Sequence, residues 1–358
     1  MVQAAPHEDE IEVTLLGPGY GESIVVHIGE GRWIIVDSCI NDEGRPQALD
    51  YLRGMDINPA EAVDWVVATH WHDDHIRGMA ALVDGCPKAE FCCAAALRQR
   101  EFLAAIHALD GRSSFAGGSG AREIHRVLTT LNEQGRHPKV VFADCRISKA
   151  DKYEIWSLSP HNSEFVRFLK TIAALLPAEG ETKTRIPEVS PNNVSVVLWI
   201  RVADVVILLG ADLEASGWVR IVESKARPTE RGTAFKVPHH GAASAHEPSI
   251  WRRLLEPDPV AVLTPWRLAG RTLPTQSDMR RVLSKTKHAY LTTNPERKDR
   301  ARRRESPAVE RTIRESNIEL RGIRPHSGGV RLRRRINTDM DWSVTLLGDA
   351  SHLRDLVA

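Results

Sequence analysis

The segment THWHDDH at residues 69–75 constrains the fold of this chain more than any other feature of the sequence. It follows VDWVVA, a β-branched apolar run that predicts a buried strand, and it runs into a helical pattern in HIRGMAALVD. His70 and His72 lie just after the end of the strand, whereas Asp74 and His75 lie at the start of the helix. Imidazoles and carboxylates are ligands that zinc, manganese and iron accept. The spacing therefore predicts a strand–loop–helix unit with two neighbouring metal positions at the end of the strand.

The rest of the chain reads as two similar halves, each of which opens with a hairpin and then alternates strands with helices. This pattern predicts an α/β fold in which two βα halves pack face to face. The expected strands and turns are IEVTLL (11–16), GPGYG (17–21), a hairpin around 30–31, a strand at 153–160, a hairpin near 203–204 and FKVPHH (235–240). The expected helices are 46–53, 97–134 with a loop at 113–120, one after 160, and 276–284.

Composition excludes several classes of protein. The formal net charge is +1, and the five cysteines include no CxxC pair, which argues against a disulfide framework and a cysteine zinc knuckle. The acidic start lacks the pattern of a secretory signal. No apolar run reaches the roughly 20 residues needed to span a bilayer. We therefore expect a cytoplasmic protein without a membrane partner.

The composition changes near residue 295, after which basic clusters occur at 297–304 and 331–335. We therefore expect one domain over residues 1–294 and a basic C-terminal extension over 295–358 that packs on or near it. WSVTLL, near the end of the chain, predicts a final strand. Basic clusters bind phosphate backbones by counterion release, although a solvated surface or a protein interface is an equally good explanation.

HWHDDH resembles the HxHxDH signature of the metallo-β-lactamase superfamily, and the resemblance extends over about residues 11–293. It implies a four-layer αβ/βα sandwich. Asp37, at the end of WIIVD, corresponds to an acidic position that orients the histidine segment. His161 in LSPHNS corresponds to the third ligand of the first metal, and Asp212 in LLGAD to the carboxylate that bridges both metals. PHHG at 238–241 supplies the last histidine.

The resemblance also implies a centre of two divalent ions, Zn²⁺ or alternatively Mn²⁺, that share a hydroxide with a lowered pKa. The ligands are then divided between a first metal, a second metal and a bridge. They are His70, His72 and His161 for the first, Asp74, His75 and His240 for the second, and Asp212 as the bridge.

Two assignments within this set stay open at the level of sequence. HNSEF, which follows Pro160, is also a plausible helix N-cap, so His161 need not bind metal. Of His239 and His240, we expect His240 to be the ligand. His239 is then a catalytic residue beside Asp74, where it contacts a substrate phosphate or protonates a leaving group.

The segments GPGYGES, GAD and KVPHHG look most like the branch that contains the hydrolase domain of ComEC-type DNA-uptake proteins and the phosphorylcholine esterases. This implies a phosphodiesterase or nuclease with DNA or RNA as the leading substrate. Arg267, Arg271 and Ser23 are candidate substrate contacts, although Ser23 could equally be a strand-start serine. The alternatives are an ester or lactone hydrolase of small molecules, and a regulatory component of a bacterial defence system that works with a partner protein. The oligomeric state stays open.

Overall fold

The structure, a computed structural model, describes residues 4–17, 21–94, 118–175, 191–268, 270–295 and 328–357. In chain order, the strands are β1 (Glu10–Gly17), β2 (Ser23–His27), β3 (Trp33–Val36), β4 (Val63–Ala68), β5 (Glu90–Ala94), β6 (Lys139–Val141), β7 (Cys145–Lys149), β8 (Tyr153–Ser157), β9 (Leu198–Val202), β10 (Val205–Leu209), β11 (Gly232–Lys236), β12 (Leu255–Leu263), β13 (Trp266–Leu268), β14 (Arg271–Leu273), β15 (Ala289–Leu291), β16 (Gly328–Arg335), β17 (Ser343–Gly348) and β18 (Ser351–His352). The α-helices are α1 (Gln47–Arg53), α2 (Pro59–Ala62), α3 (Asp73–Ile76), α4 (Met79–Gly85), α5 (Gly118–Glu133), α6 (Asn162–Leu175), α7 (Ala215–Glu223), α8 (Pro248–Arg253) and α9 (Gln276–Leu283).

The strands form two eight-stranded mixed sheets and a small hairpin of β13 with β14. The first sheet has the order β17-β16-β1-β2-β3-β4-β5-β6, and the second has the order β18-β15-β12-β11-β10-β9-β8-β7. Strands β3 to β6 are parallel neighbours, as are β10, β11, β12 and β15. Because parallel strands end at the same edge, their following loops gather there, which is where ligands bind in open α/β sheets.

Side chains that alternate along the strands divide between three apolar layers. In β3, Ile34 lies in the layer between the sheets, whereas Ile35 packs with residues of α1 and α4 on the outer face of the first sheet. In β10, Ile207 lies between the sheets, whereas Leu208 packs with residues of α7 and α8 on the outer face of the second. The predicted four-layer αβ/βα sandwich is therefore confirmed.

The expected helices that fall on described residues are found with two local differences, whereas α2, α7 and α8 were not expected from the sequence. The pattern after residue 75 is two short helices, α3 and α4, because Gly78 adopts a φ of 82° between them. Residues 118–120, which were expected in a loop, belong to α5, while residues 95–117 lie outside the described residues. In the described ranges, none of the helices combines the length and apolar character that a membrane crossing requires.

The C-terminal segment contributes strands to both sheets. Strand β16 pairs antiparallel with β1 along its whole length, and β17, the final strand expected at WSVTLL, pairs with β16. Strand β18 joins β15 in the second sheet. Arg333 lies 2.7 Å from the fully buried carboxylate of Glu12, and Arg334 contacts Asp204. Residues 328–357 are thus integral to the sandwich, while the basic stretch at 296–305 lies outside the described residues.

Candidate metal centre

Loops after four strands bring Asp37 and all of the predicted ligands except His161 together at one edge of the sandwich. Asp37 follows β3, residues 69–75 follow β4, Asp212 follows β10, and His240 lies in the loop after β11. Asp37, His239 and His240 have positive φ angles of 59°, 48° and 53°. Such angles are uncommon for residues with a Cβ atom, and they concentrate at functional sites where the surroundings hold a sharp turn.

Two of the three residues predicted for the first metal, His70 and His72, lie close to Asp212, the predicted bridge. His70 Nε2 is 3.2 Å from His72 Nδ1 and 3.9 Å from Asp212 Oδ2. The ligand atoms of these three residues all lie within 4.8 Å of one another. His70 and Asp212 are buried, while His72 is partly exposed. The structure thus assembles a three-residue group with the composition of a metal site.

The predicted second set forms a neighbouring group of the same kind. Asp74, His75 and His240 are all buried, and their ligand atoms also lie within 4.8 Å of one another. His240 Nε2 is 3.1 Å from Asp74 Oδ2 and 3.7 Å from Asp212 Oδ2. His75 Nε2 is 3.3 Å from Asp212 Oδ1. The carboxylate of Asp212 therefore contacts both groups, which is the arrangement expected of a bridging ligand.

Two observations show that this cluster fits cations. First, His75 Nε2 and Asp212 Oδ1 are buried and lie 3.3 Å apart, yet neither makes a well-formed hydrogen bond among the described residues. Buried polar atoms of this kind are costly unless something satisfies them, and a metal ion does so. Second, the carboxylates of Glu22, Asp37, Asp74 and Asp212 gather around the described cluster, where they outnumber the nearby ammonium of Lys236.

Asp37 holds the imidazole of His75 from the side away from Asp212. Its Oδ2 lies 2.7 Å from His75 Nδ1, and its two carboxylate oxygens accept hydrogen bonds from the backbone N–H and the hydroxyl of Thr69 at 2.8 and 2.7 Å. Because Nδ1 is engaged in this way, Nε2 of His75 points toward Asp212. A carboxylate behind a ligating histidine fixes its tautomer and its orientation, which is the part predicted for Asp37.

Charges in the cluster are strongly coupled. Burial alone favours a neutral His75, but Asp212 and Glu22 outweigh burial and raise the pKa of this imidazole well above its usual value. Burial would raise the pKa of Asp212, but His75 and His240 reverse this and hold it well below its usual range. By contrast, burial lowers the pKa of His70 well below its usual value, so that His70 is neutral. The surrounding carboxylates therefore favour the protonated form of His75, and this proton has to leave when a metal ion binds.

We expect the affinity of the protein for Zn²⁺ to increase with pH. A raised pKa means that His75 is protonated at neutral pH, and release of about one proton per bound ion corresponds to roughly a tenfold gain in affinity per pH unit. Competition titrations against a chelating indicator at several pH values between about 6 and 8 measure this slope. An affinity that does not change with pH would contradict the proposed protonation of His75.

His161 lies outside both groups. Its imidazole is exposed, its Nδ1 accepts a hydrogen bond from the backbone N–H of Ser163 at 3.2 Å, and it contacts the Ser163 hydroxyl at 2.9 Å. These contacts cap the start of α6, which is the alternative that the sequence left open. No metal-ligand grouping among the described residues includes His161. The arrangement therefore does not support His161 as a ligand, and His161→Ala is a suitable control in the zinc titration because its affinity should match wild type.

His239 lies next to the cluster, at its exposed side. Its Nδ1 is 3.1 Å from Glu214 Oε1, and its Nε2 is 3.4 Å from the side-chain amide of Asn192. About a quarter of the His239 side chain, 23%, is exposed, compared with 2% for His240. Burial lowers the pKa of His239, but the hydrogen bond with Glu214 more than compensates and raises it above its usual value. The Glu214 carboxylate thus favours the protonated form of His239, which is partly exposed beside the buried groups.

The predicted substrate contacts have different outcomes. Ser23 is fully buried and its hydroxyl donates to the backbone carbonyl of Asp37 at 2.9 Å, so it supports the loop and is not available to a substrate. Arg267 lies on β13 and donates to the carbonyl of Pro295, while Arg271 is exposed on β14. Their contact with a substrate stays a prediction.

Several residues at the centre were not predicted from the sequence. They share a polar side chain, buried or partly buried, that contacts a predicted ligand or its neighbour. A lysine inside the apolar strand FKV and a glutamate directly after the glycine-rich turn were the available signals. These residues are Glu22, Asn192, Glu214, Lys236 and Thr264.

Comparison with known proteins agrees with this description. The family model described as the Metallo-beta-lactamase superfamily matches residues 16–144, the stretch that contains Asp37 and residues 69–75. This stretch of the chain is therefore similar to that superfamily, as the histidine segment predicted. No curated protein matches the chain in sequence.

The solved structures that are similar to this chain are distant from it in sequence. The metallo-beta-lactamase fold protein YhfI from Bacillus subtilis is 12% identical, with a TM-score of 0.41 over 79% of this chain and 95% of that chain. A HARLDQ-motif mutant of a metallo-beta-lactamase from Cronobacter sakazakii is 14% identical, with a TM-score of 0.36 over 62% of this chain and 75% of that chain. A subclass B3 metallo-beta-lactamase isolated from a soil metagenome library is 12% identical, with a TM-score of 0.34 over 64% and 78% of the two chains.

Proposed function

We propose that this chain is a metal-dependent phosphodiesterase that acts on DNA or RNA. Its fold, and the match of residues 16–144 to the family model, support a place in the metallo-β-lactamase superfamily. The observation that carries the proposal is the pair of neighbouring histidines in PHHG. His240 points into the buried cluster, whereas His239 stands beside it, partly exposed and paired with Glu214. The metal centre alone suits many hydrolases, but this second histidine adds a group that suits an anionic ester.

Two divalent ions, Zn²⁺ or Mn²⁺, would be held by residues that the structure gathers. His70 and His72 would hold one, Asp74, His75 and His240 the other, and Asp212 would contact both. When bound, the ions supply Lewis acidity and lower the pKa of a coordinated water. The chain's own part is to fix these ligands, as Asp37 does for His75.

His239 provides what hydrolysis of a phosphodiester requires in addition to the ions. The substrate carries a negative charge, and its leaving oxygen must be neutralised as the ester bond breaks. A protonated His239, oriented by Glu214 at 3.1 Å, can donate a hydrogen bond to a phosphoryl oxygen or a proton to the leaving oxygen. A neutral lactone or ester offers no anionic oxygen for this imidazolium in its ground state. A protonated His239 on the exposed side of the metal cluster therefore favours a phosphodiester as the substrate.

We expect His239→Gln to lower the kcat of phosphodiester cleavage by about two to three orders of magnitude, since a positioned general acid contributes on this scale. Bound metal should not change, because His240 and not His239 lies in the cluster. The substrates are bis(p-nitrophenyl) phosphate, single- and double-stranded DNA and RNA, each with Zn²⁺ or Mn²⁺, and metal content is measured in parallel. His246→Gln is the matched control, because His246 lies in the same loop and is likewise partly buried.

The outcomes separate the candidate activities. Cleavage of phosphodiesters that depends on His239 but not on His246 supports the proposal. Hydrolysis of lactones or thioesters without any cleavage of phosphodiesters would reject it in favour of a small-molecule ester hydrolase.

A further inference from the structure

A fully buried ion pair lies beneath the metal centre. Lys236, at the end of β11, places its Nζ 2.5 Å from Glu22 Oε1, and both side chains are at most 1% exposed. The ammonium also donates to the backbone carbonyl of Ala211 at 2.9 Å and lies 3.7 Å from Asp212 Oδ1. Glu22 precedes β2 in the first half of the sandwich, whereas Lys236 belongs to the second half. The pair thus joins the two halves next to the bridging carboxylate.

Glu22 also contacts the second group of ligands. Its Oε1 is 3.6 Å from His75 Nδ1, and its Oε2 is 3.9 Å from His240 Nδ1 and accepts a hydrogen bond from the Thr264 hydroxyl. Its backbone N–H donates to the carbonyl of Asp74 at 2.8 Å. The two members of the pair therefore reach Asp74, His75, His240 and Asp212, which are the proposed ligands of the second metal and the bridge.

The backbone conformation that places Glu22 next to the histidine segment requires a glycine at residue 21. Gly21 has a φ of 90°, and a Cβ atom at this position would lie 2.8 Å from the carbonyl oxygen of Asp74. Only glycine allows this close approach of the two backbones. The glycine-rich turn therefore serves to bring Glu22 against the histidine segment.

Stability alone does not account for such a pair. Removing two charges from water is costly, and replacing a buried ion pair with apolar side chains of similar volume is often neutral or stabilising. An apolar core would therefore serve the sandwich equally well at this place. The pair contacts four proposed metal ligands, and this position suggests that it serves the metal centre.

We propose that Glu22 and Lys236 are positioning residues of the metal centre, whose ion pair holds Asp212, His75 and His240 in the arrangement that binds the second metal. Lys236 restrains Asp212 directly and through the carbonyl of Ala211, while Glu22 restrains the two imidazoles. The inference rests on the metal centre of the proposed function, but it is independent of which bond the protein hydrolyses.

The test compares this pair with a second ion pair of the same protein, in which the carboxylate is fully buried and the arginine is 17% exposed. The double substitution Glu22→Gln with Lys236→Met removes both charges, so that neither charge is left buried without a partner. The matched control is Glu12→Gln with Arg333→Met, because Glu12 is fully buried and lies 2.7 Å from Arg333, and this pair also joins distant parts of the chain. The probes are Zn²⁺ equivalents retained after dialysis, the affinity for each equivalent, and the visible absorption of the Co²⁺-loaded protein.

We expect the first substituted pair to weaken binding of the second equivalent about 10- to 100-fold, the size seen when residues behind metal ligands are changed. The Co²⁺ absorption should also change, while the control pair binds both equivalents as wild type does. Wild-type affinity for both equivalents in the Glu22/Lys236 variant would overturn the proposal. Equal loss of metal in the control would also overturn it, because it would show general destabilisation.

If the double variant fails to fold, the single substitution Thr264→Val is used to test the same proposal. It removes the hydroxyl that donates to Glu22 and nearly keeps the shape of the side chain. We expect the affinity for the second Zn²⁺ equivalent to fall several-fold, while the affinity for the first is unchanged. Unchanged affinity for both equivalents would overturn the proposal. Because each readout is metal binding, failure here is distinguishable from failure to find phosphodiester cleavage.

Discussion

Substitution of Asp212 by asparagine will lower the kcat/KM of the metal-loaded protein by about a thousandfold, which corresponds to roughly 4 kcal/mol of transition-state stabilisation. Asp212 contacts His70 at 3.9 Å, His75 at 3.3 Å and His240 at 3.7 Å, so it lies between the two groups of ligands. An amide has nearly the same shape as the carboxylate but lacks its negative charge. The loss should therefore reflect charge and metal binding, and not packing.

Kinetics and metal content should be measured together for this variant. We expect fewer retained Zn²⁺ equivalents along with the lower rate, because Asp212 is the residue shared between the groups. Asp204→Asn is the matched control, since Asp204 lies in the turn between β9 and β10 of the same hairpin and contacts Arg334 and Asn337 instead. A fully active Asp212→Asn protein with two bound ions would refute the assignment of Asp212 as the bridge.

A chain that ends at Pro295 will not form the stable sandwich. Such a truncation removes β16 and β17 from the first sheet and β18 from the second. It would expose the edge of β1 and uncover apolar surface that Val330, Leu332 and Leu353 now bury. Because native domains are stable by only about 5–15 kcal/mol, the loss of three strands should abolish cooperative unfolding. Urea unfolding followed by circular dichroism, together with size-exclusion chromatography, measures the outcome.

Two single substitutions in the C-terminal segment test the same point in the full-length chain. Leu332→Asp on β16 places a charge where the side chain is 0% exposed, and we expect it to cost more than about 4 kcal/mol. Leu346→Asp on the neighbouring strand β17 is the control, because Leu346 is 42% exposed and the expected change is within about 0.5 kcal/mol. A folded, cooperative truncated chain, or equal effects of the two substitutions, would show that residues 328–357 are an appendage.

Much of the fold could be predicted because its signals are local. The apolar run VDWVVA became β4, the hairpin at 203–204 became β9 and β10, and the histidine segment emerged at the end of a strand as expected. The alternation of side chains along a strand is a property of a few neighbouring residues, so it can be read without knowledge of the partner strand. The same holds for THWHDDH, because its candidate ligands lie within six consecutive residues, 70–75.

Contacts between distant segments are a different case. The arginines at 331–335 read as a basic cluster, yet Arg333 is neutralised by Glu12, which is more than 300 positions away. Ser23 read as a candidate for substrate contact, but its hydroxyl is used by the loop that carries Asp37. In each case the partner decides what the side chain does, and the partner is remote in sequence.

The sequence by itself determined the α/β class and the histidine segment, because spacing along a strand or loop dictates these features, while the resemblance to a known family implied Asp37, Asp212 and His240. Only the tertiary structure decided that His161 caps a helix, that His240 and not His239 lies in the cluster, and that Glu22 and Lys236 form a buried pair beneath it. It also decided that the C-terminal segment completes both sheets. The physical reason is that burial and charge pairing depend on which distant segments meet, and a linear pattern does not contain that information.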